Sequence, residues 1–165
     1  MTSRERNAPV RRVAVMGIGN ELRGDDAAGM LAARALRRMQ HDSFLVVEGA
    51  TAPENYTGML RRFQPDLVLL IDAAELGEQP GCVRWLSAAD TEGLSASTHT
   101  TPPSMLARFL METLGCEVAL VGIQPFDTSF DAPMSPDVMA AVHAVVASVG
   151  QTFARGLPMA EGGAL

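Results

Sequence analysis

Two aspartates and one histidine in this chain have types and positions that suit proton transfer or metal contact. Asp26 closes a glycine-containing segment after the first apolar run, Asp72 directly follows five consecutive apolar residues, and His99 lies among small polar residues. Carboxylates and imidazoles are the side chains that proteins use as general acids, general bases and metal ligands. We predict that these three side chains act together.

Each of these residues also has a purely structural interpretation. One carboxylate of the pair Asp25 and Asp26 could be an N-cap, because carboxylates favour helix starts. Asp72 could cap a loop, although its position after an apolar run predicts partial burial and a need for a partner. The other two histidines, His41 and His143, are predicted to be structural. A functional role is favoured for the set of three at strand ends, and for none of its members alone.

The apolar pattern predicts alternating strands and helices. The strands are residues 13–16, 44–47, 67–71, 82–86 and 118–122, and the helices are residues 28–39, 54–62, 102–114 and 136–149. The fourth strand follows the third too closely for a crossover helix, so we expect it to be antiparallel. Together these elements predict a three-layer α/β/α sandwich with a mostly parallel sheet.

In such folds, sites lie beyond the carboxyl ends of the strands, where the strand order reverses. Asp26 follows the first predicted strand, Asp72 ends the third, and the loop after the fourth carries His99. Residues 87–101 are mostly Ser, Ala and Thr, and we expect this loop to be mobile until substrate arrives because it offers little apolar surface. The 156–165 tail is expected to fray.

The charged residues exclude several kinds of chemistry. All 13 basic residues are Arg, and the absence of Lys excludes a Schiff-base lysine and a Walker A phosphate loop. The net charge of −6 argues against a nucleic-acid-binding surface. Arg34, Arg37 and Arg38 are interpreted as the solvated face of a helix.

Other motifs are incomplete or absent. Gly17 and Gly19 hint at a dinucleotide site, but the next glycine, Gly24, is misplaced for that fingerprint. A non-catalytic nucleotide-binding module is therefore kept as an alternative. The sequences GxSxG and HExxH do not occur. A nucleophilic pair of Cys82 and His99 is conceivable, but a small buried residue is the favoured role for Cys82.

Compartment and domain organisation follow from simple features. Cys82 and Cys116 are far apart and form no CxxC motif, so we expect no disulfide framework and a cytoplasmic location. No secretory signal or transmembrane stretch is recognised. We expect one soluble domain over residues 1–165, with a core of about 11–152.

The motifs in this order resemble the nickel-iron hydrogenase maturation endopeptidases. The resemblance rests on the Gly-x-Gly-Asn turn at 17–20, the acidic pair at 25–26, Asp72 and His99. Segments 52–55, 98–99 and 122–125 are similar to the branch that processes the hydrogenase of formate hydrogenlyase. The resemblance covers roughly residues 13–150, and its two departures are Ala27 and Ala50, where the family often has glycine.

The resemblance implies a twisted, mainly parallel five-stranded sheet with helices on both sides. It implies an endopeptidase that removes a short C-terminal peptide from the nickel-loaded precursor of a hydrogenase large subunit. Asp26, Asp72 and His99 would be the catalytic, metal-contacting residues, and carboxylate and imidazole suit nickel. Nickel would be recognised in the substrate, with no tightly bound resident metal.

The mechanism stays open between two types. Because no serine, cysteine or lysine nucleophile is credible, water must attack, activated by a carboxylate (aspartic type) or by the metal. A hydrolase with its own resident metal is a further alternative, which metal analysis of protein purified without added metal would separate. The expected partner is the large-subunit precursor, with no nucleic acid and no membrane, and the chain is expected to be a monomer.

Overall fold

A computed structural model of the protein describes residues 11–94 and 101–154, and these ranges contain one five-stranded sheet. The strands are Val13–Ile18 (β1), Phe44–Ala50 (β2), Leu67–Ala73 (β3), Val83–Ser87 (β4) and Glu117–Ile123 (β5). The α-helices are Ala28–Leu36 (α1), Thr57–Phe63 (α2), Pro103–Leu114 (α3) and Pro136–Phe153 (α4). The predicted α/β sandwich with a mainly parallel sheet is confirmed.

The sheet has the strand order β2-β1-β3-β5-β4. The first four of these strands are parallel, and β4 pairs antiparallel with β5 at the edge, as its short connection to β3 predicts. The chain leaves β1 towards one side to form β2 and then crosses back to form β3 on the other side. The strand order therefore reverses between β1 and β3, which is where ligands bind in open α/β sheets.

Helices cover both faces of the sheet. α1 and α4 pack with Leu67, Leu69 and Ile71 on one face, while α2 and α3 pack with Val68 and Leu70 on the other. All seven residues of β3 are buried, as expected for a central parallel strand whose side chains alternate between two covered faces. Within the described ranges, none of the helices combines the length and apolar character that a bilayer crossing requires.

Two strands extend further than their apolar runs. β3 continues through Ala73, so Asp72 lies inside the strand, in register with Gly122 of β5. β2 likewise continues through Ala50. Backbone pairing with neighbouring strands prolongs both elements beyond the point where hydrophobicity ends, which a pattern of side chains does not reveal.

The segment after β4 differs from its predicted character. Residues Ala89–Thr91 form a 3-10 helix in which Thr91 is buried. Ala88 and Leu94 pack against the apolar cluster beneath α2 and α3. The expectation of a loop without an apolar anchor is therefore wrong for residues 88–94. His99 and the rest of residues 95–100 lie outside the described residues.

Glycines allow α1 to lie unusually close to the sheet. A Cβ atom at Gly29 of α1 would overlap the carbonyl oxygens of Ile18 and Ile71, and one at Gly17 of β1 would overlap the carbonyl oxygen of Gly29. The backbones of α1, β1 and β3 are thus in direct contact at this point. Gly17, the first glycine of the Gly-x-Gly-Asn turn, is required for this helix–strand packing.

We predict that Gly29→Ala destabilises the protein by about 1–3 kcal/mol or more, because the added methyl group would force backbones apart. The matched control is Gly58→Ala in α2, where a Cβ has no atom closer than 3.8 Å. That change should stabilise the protein by about 0.5–1 kcal/mol through helix propensity alone. Urea denaturation measures both, and equal effects of the two substitutions would contradict the packing argument.

Candidate functional site

Asp72 is buried at the carboxyl end of the central strand, with 2% of its surface exposed. It lies two residues after Leu70 in β3, and so on the face covered by α2 and α3. A carboxylate at such a position requires polar partners, because an ionised group loses its hydration there. The predicted place of Asp72, at the end of the third strand, is correct. Partial burial was predicted, whereas the side chain is almost completely buried.

Asp26 lies on the other side of the reversal point. It is fully buried in a 3-10 helix, Gly24–Ala27, which precedes α1 and contacts β3. Its Oδ2 accepts a hydrogen bond from the backbone N–H of Asn20 at 2.8 Å. The carboxylates of Asp26 and Asp72 therefore belong to the same edge of the sheet, on segments that follow or end neighbouring strands.

The N-cap interpretation of the acidic pair is wrong. Both aspartates lie within the 3-10 helix, and the residue that precedes α1 is Ala27, with no side-chain capping bond. Asp25 instead binds the loop that follows β5. Its carboxylate accepts the backbone N–H groups of Phe126, Asp127 and Ser135 at 2.6–3.0 Å and the Ser135 hydroxyl at 2.8 Å.

Asp25 thus has a structural role that sequence reasoning missed. It is fully buried, and its own N–H donates to the carbonyl of Asp127 at 2.9 Å. The available signal was the doubled aspartate itself, since one capping position cannot use two carboxylates. The two neighbouring aspartates have different roles. Asp25 accepts hydrogen bonds from the loop after β5, and Asp26 accepts one from the turn after β1.

The turn at 17–20 uses its own amide groups internally. The N–H of Gly19 donates to the carbonyl of Ala50 at 3.0 Å, and the N–H of Asn20 donates to Asp26. The N–H groups of Leu22 and Arg23 donate to the side chain and the carbonyl of Asn20. A phosphate cradle needs such donors to be free, whereas these four shape the turn beside Asp26.

Ala50 keeps a glycine-like backbone although it carries a Cβ. Its φ is +50°, in the left-handed region, which costs an alanine about 1–2 kcal/mol. Its carbonyl accepts the Gly19 N–H, and its own N–H lies 3.3 Å from the Met30 sulfur. The departure from glycine at this position is therefore accommodated without loss of the local geometry.

An ion-pair network joins α1 and the residue that follows it to the segment after β1 and to β2. Arg34 donates to Glu21 at 2.7 Å and to Glu48 at 3.0 Å, and Arg37 donates to Glu48 at 3.0 Å. The hydrogen bond from Arg34 lowers the pKa of Glu21. Arg34, Arg37 and Arg38 are all exposed, which confirms the predicted solvated face, and Arg34 and Arg37 form ion pairs on it.

Gln124 connects the segments that follow β3 and β5. It is buried, and its Oε1 accepts the backbone N–H groups of Leu76 and Glu78 at 2.7 and 3.3 Å. Its Nε2 donates to Glu75 and to the carbonyl of Pro125 at 3.0 and 3.1 Å. This glutamine fixes the path of the chain directly after Asp72.

A cleft opens beside Asp72 on the face covered by α2 and α3. The space within it that can hold water is small, about 40 Å³. Ile18, Leu70, Leu106 and Leu120 form an aliphatic floor, and each is almost completely buried. Asp72 forms part of the wall. The arrangement places an apolar recess against one carboxylate of the candidate site.

The predicted ligand set is only partly located. In residues 11–94 and 101–154, no group of three or more His, Cys, Asp or Glu side chains is placed to hold a metal ion. Asp26 and Asp72 are the two members found at the sheet edge, and His99 lies outside these ranges. The assignment of all three as metal contacts stays a prediction.

Comparisons with known proteins agree with this architecture. The family model described as hydrogenase maturation protease, HycI, matches residues 30–152. The hydrogenase 3 maturation protease of Escherichia coli K12 is 35% identical over 129 residues, which cover 78% of this chain and 82% of the relative.

Solved structures show the same fold. A crystal structure of the [NiFe] hydrogenase maturation protease HycI from Thermococcus kodakarensis has a TM-score of 0.77 and 30% identity, covering 85% of this chain and 90% of that one. The solution structure of the endopeptidase HycI from Escherichia coli has a TM-score of 0.73 and 28% identity, covering 92% and 99% of the two chains.

We predict that Asp25→Ala destabilises the protein by at least about 3 kcal/mol, because several hydrogen bonds to a buried charge are lost together. Amide exchange at Phe126, Asp127 and Ser135 should accelerate at the same time. The control Asp127→Ala removes the exposed hydrogen bonds that the backbone and the side chain of Ser129 donate to its carboxylate and should cost less than about 1 kcal/mol. Similar losses for the two substitutions would refute the assigned role of Asp25.

The Arg34–Glu21 pair predicts a small acid dependence of stability. The pKa of Glu21 in the folded protein lies below the ordinary value of 4.5, so its stabilisation is present above that pH and is lost as the pH falls through the folded pKa. Glu21→Gln should remove this contribution, which is below about 1 kcal/mol because the pair is exposed. Denaturation between pH 3 and 7 measures this contribution to the free energy of unfolding, with the exposed Glu92→Gln as the control. Identical pH profiles for the two variants would contradict the pairing.

Proposed function

Because the chain belongs to the hydrogenase maturation protease family, we propose that it is an endopeptidase that cleaves the precursor of a nickel-iron hydrogenase large subunit. The reaction removes a short C-terminal peptide after nickel has been inserted. The observation that carries the proposal is the pair of buried carboxylates, Asp26 and Asp72, on either side of the reversal point in a chain of this family. The enzyme is proposed to work as a cytoplasmic monomer.

Nickel belongs to the substrate in this proposal. Asp26, Asp72 and His99 contact the ion, and thiolates of the precursor supply the softer ligands that nickel accepts. His99 must be unprotonated to bind the metal, so recognition weakens in acid. The protein recognises a precursor that already carries nickel, because the ion is the one group that Asp26, Asp72 and His99 contact together.

Hydrolysis of the peptide bond proceeds by attack of water. Water adds to the carbonyl carbon, the C–N bond breaks, and the leaving amine takes up a proton. A carboxylate or the substrate-bound nickel activates the water. Cys82 is a poor candidate nucleophile because it is half-buried before β4, an edge strand that β5 separates from β3.

The two alternative functions are distinguishable from this one. A nucleotide-binding module would need the turn amides at residues 19–23, and Gly19, Asn20, Leu22 and Arg23 donate them internally. A hydrolase with a resident metal would retain a stoichiometric ion after purification without added metal. Metal analysis therefore decides between the resident-metal alternative and recognition of nickel in the substrate.

We predict that Asp72→Asn, His99→Ala and Asp26→Asn each abolish cleavage of nickel-loaded precursor. The amide in Asp26→Asn can still accept the Asn20 N–H, so folding is retained while the charge is lost. Combining two of the changes should add little, because residues that act as a unit are non-additive. The assay follows the mass loss at the C-terminus of the precursor.

The controls for this assay are Asp42→Asn and His143→Ala, both at exposed positions, which should cleave at the parent rate. Thermal unfolding of each variant separates loss of function from loss of fold. Parent-rate processing by folded Asp72→Asn and His99→Ala would show that these residues do not form the site.

A further inference from the structure

Three of the most exposed large apolar side chains in the described part of the chain lie on two segments that touch. Leu22, Phe126 and Phe130 have 63%, 75% and 70% of their surfaces exposed. Leu22 belongs to the segment after β1 and the two phenylalanines to the loop after β5. The backbone N–H of Asp131 donates to the carbonyl of Leu22 at 2.8 Å, which holds the two segments side by side. We call Leu22, Phe126 and Phe130 the apolar patch.

Buried groups fix the backbone that carries the apolar patch. The carboxylate of Asp25 accepts the N–H of Phe126 at 2.8 Å, and the N–H of Asp25 donates to the carbonyl of Asp127 at 2.9 Å. A Cβ atom at Gly24 would overlap that same carbonyl oxygen, so the backbones of the two segments are in direct contact. The patch is therefore presented on a preformed frame, and a partner that binds it loses little affinity to the ordering of the backbone.

The fold does not account for the exposure of these side chains. Burial of apolar surface stabilises a folded chain, yet Phe126 and Phe130 keep most of their surface in water. Single exposed apolar residues are ordinary, whereas several of them on one patch mark a contact with another molecule. Aromatic side chains are also enriched among the residues that dominate the energy of protein–protein binding. The patch therefore has the character of a docking surface.

The position of the apolar patch indicates which molecule covers it. Leu22 lies in the segment 20–26, which is closed by the hydrogen bond from the Asn20 N–H to the Asp26 carboxylate at 2.8 Å. A precursor whose nickel reaches Asp26 brings its folded surface against this segment and against the loop that Asp25 binds. The folded body of the precursor, in addition to its C-terminal peptide, is then in contact with the patch.

The size and the charge of the patch disfavour other occupants. An aromatic side chain buries about 150–250 Å², so the patch falls short of the roughly 800 Å² that each partner buries in a standard interface. Such an area suits an enzyme that must release its product better than it suits a stable dimer of two copies. Asp127 and Asp131 add negative charge to the same loop, and an anionic lipid surface would repel them.

We propose that the apolar patch docks the folded body of the nickel-loaded large-subunit precursor. The proposal rests on the endopeptidase function above and adds to it the surface through which the enzyme selects its partner protein. This surface is separate from the residues that contact nickel and the cleaved bond. It contributes to the binding of the precursor and takes no part in the attack of water.

The first experiment separates binding from cleavage. A double variant, Phe126→Ala with Phe130→Ala, removes two exposed rings and leaves the core intact. It should raise KM for nickel-loaded precursor about tenfold or more, because two aromatic contacts are lost, while kcat stays within about twofold of the parent value. Leucine at both positions should restore most of the affinity. An unchanged KM in the double variant would overturn the docking surface.

The matched control is Phe109→Ala, which removes an exposed ring from α3. This variant should keep the parent KM and kcat. Thermal unfolding of each variant checks that the fold is retained. A rise in KM for Phe109→Ala equal to that of the double variant would show that the effect is not specific to the patch and would overturn the proposal.

A second experiment measures binding in the absence of cleavage. Asp72→Asn enzyme is titrated with nickel-loaded precursor, with and without the two alanine substitutions, and the double substitution should raise Kd about tenfold or more. If it does so while the parent enzyme fails to cleave, the proposed function is wrong and the docking surface stands. Equal Kd values, or no binding by Asp72→Asn enzyme, would overturn the docking surface even if the parent cleaves normally.

The other occupants are tested on the parent chain alone. It should sediment as a monomer and should not pellet with phosphatidylserine vesicles. A dimer that dissociates on substitution of Phe126 and Phe130 would assign the patch to a second copy of the chain. Vesicle binding that is lost on the same substitution would assign it to a lipid surface. Either result would overturn the proposal.

Discussion

The burial of carboxylate charge at one edge of the sheet is the constraint around which the neighbouring segments are arranged. Asp25, Asp26 and Asp72 are almost inaccessible to water, and an ion in such a place costs several kcal/mol unless hydrogen bonds replace its hydration. The loop after β5 supplies N–H groups to Asp25, and the turn after β1 supplies one to Asp26. The paths of both segments are consequences of this requirement.

The glycines near this edge serve the same arrangement. Gly17 and Gly29 allow the backbone of α1 to contact β1 and β3, which positions the 3-10 helix that carries Asp26 above the central strand. A Gly-x-Gly motif after a first strand can therefore belong to helix packing and to charge burial. This role is distinguished from phosphate binding by the backbone N–H groups of the turn. In a phosphate site they are free to bind the ligand, whereas here they donate hydrogen bonds within the protein.

The number of strands, the antiparallel β4 and the strand ends of the site were predictable because long apolar runs and short connections constrain them directly. The different roles of Asp25 and Asp26 were not predictable, because the partners of Asp25 lie 101–110 residues later in the chain. The buried position of Thr91 and the left-handed backbone of Ala50 likewise depend on contacts with distant elements. His99 was predicted from topology and the family resemblance, and its place in the site remains a prediction.

The long separation between Asp25 and its partners also has a consequence for folding. Loops that close over about a hundred residues form slowly, because their entropy must be lost before the contact is gained. Before Ser135 is in place, Asp25 lacks two of the hydrogen bonds that it accepts in the folded protein. A nascent chain that already contains β1, β2 and β3 therefore includes Asp25, Asp26 and Asp72, but it lacks the loop after β5 whose N–H groups bind Asp25. The hydrogen bonds of Asp25 at this edge can form only after residues up to Ser135 have been synthesised.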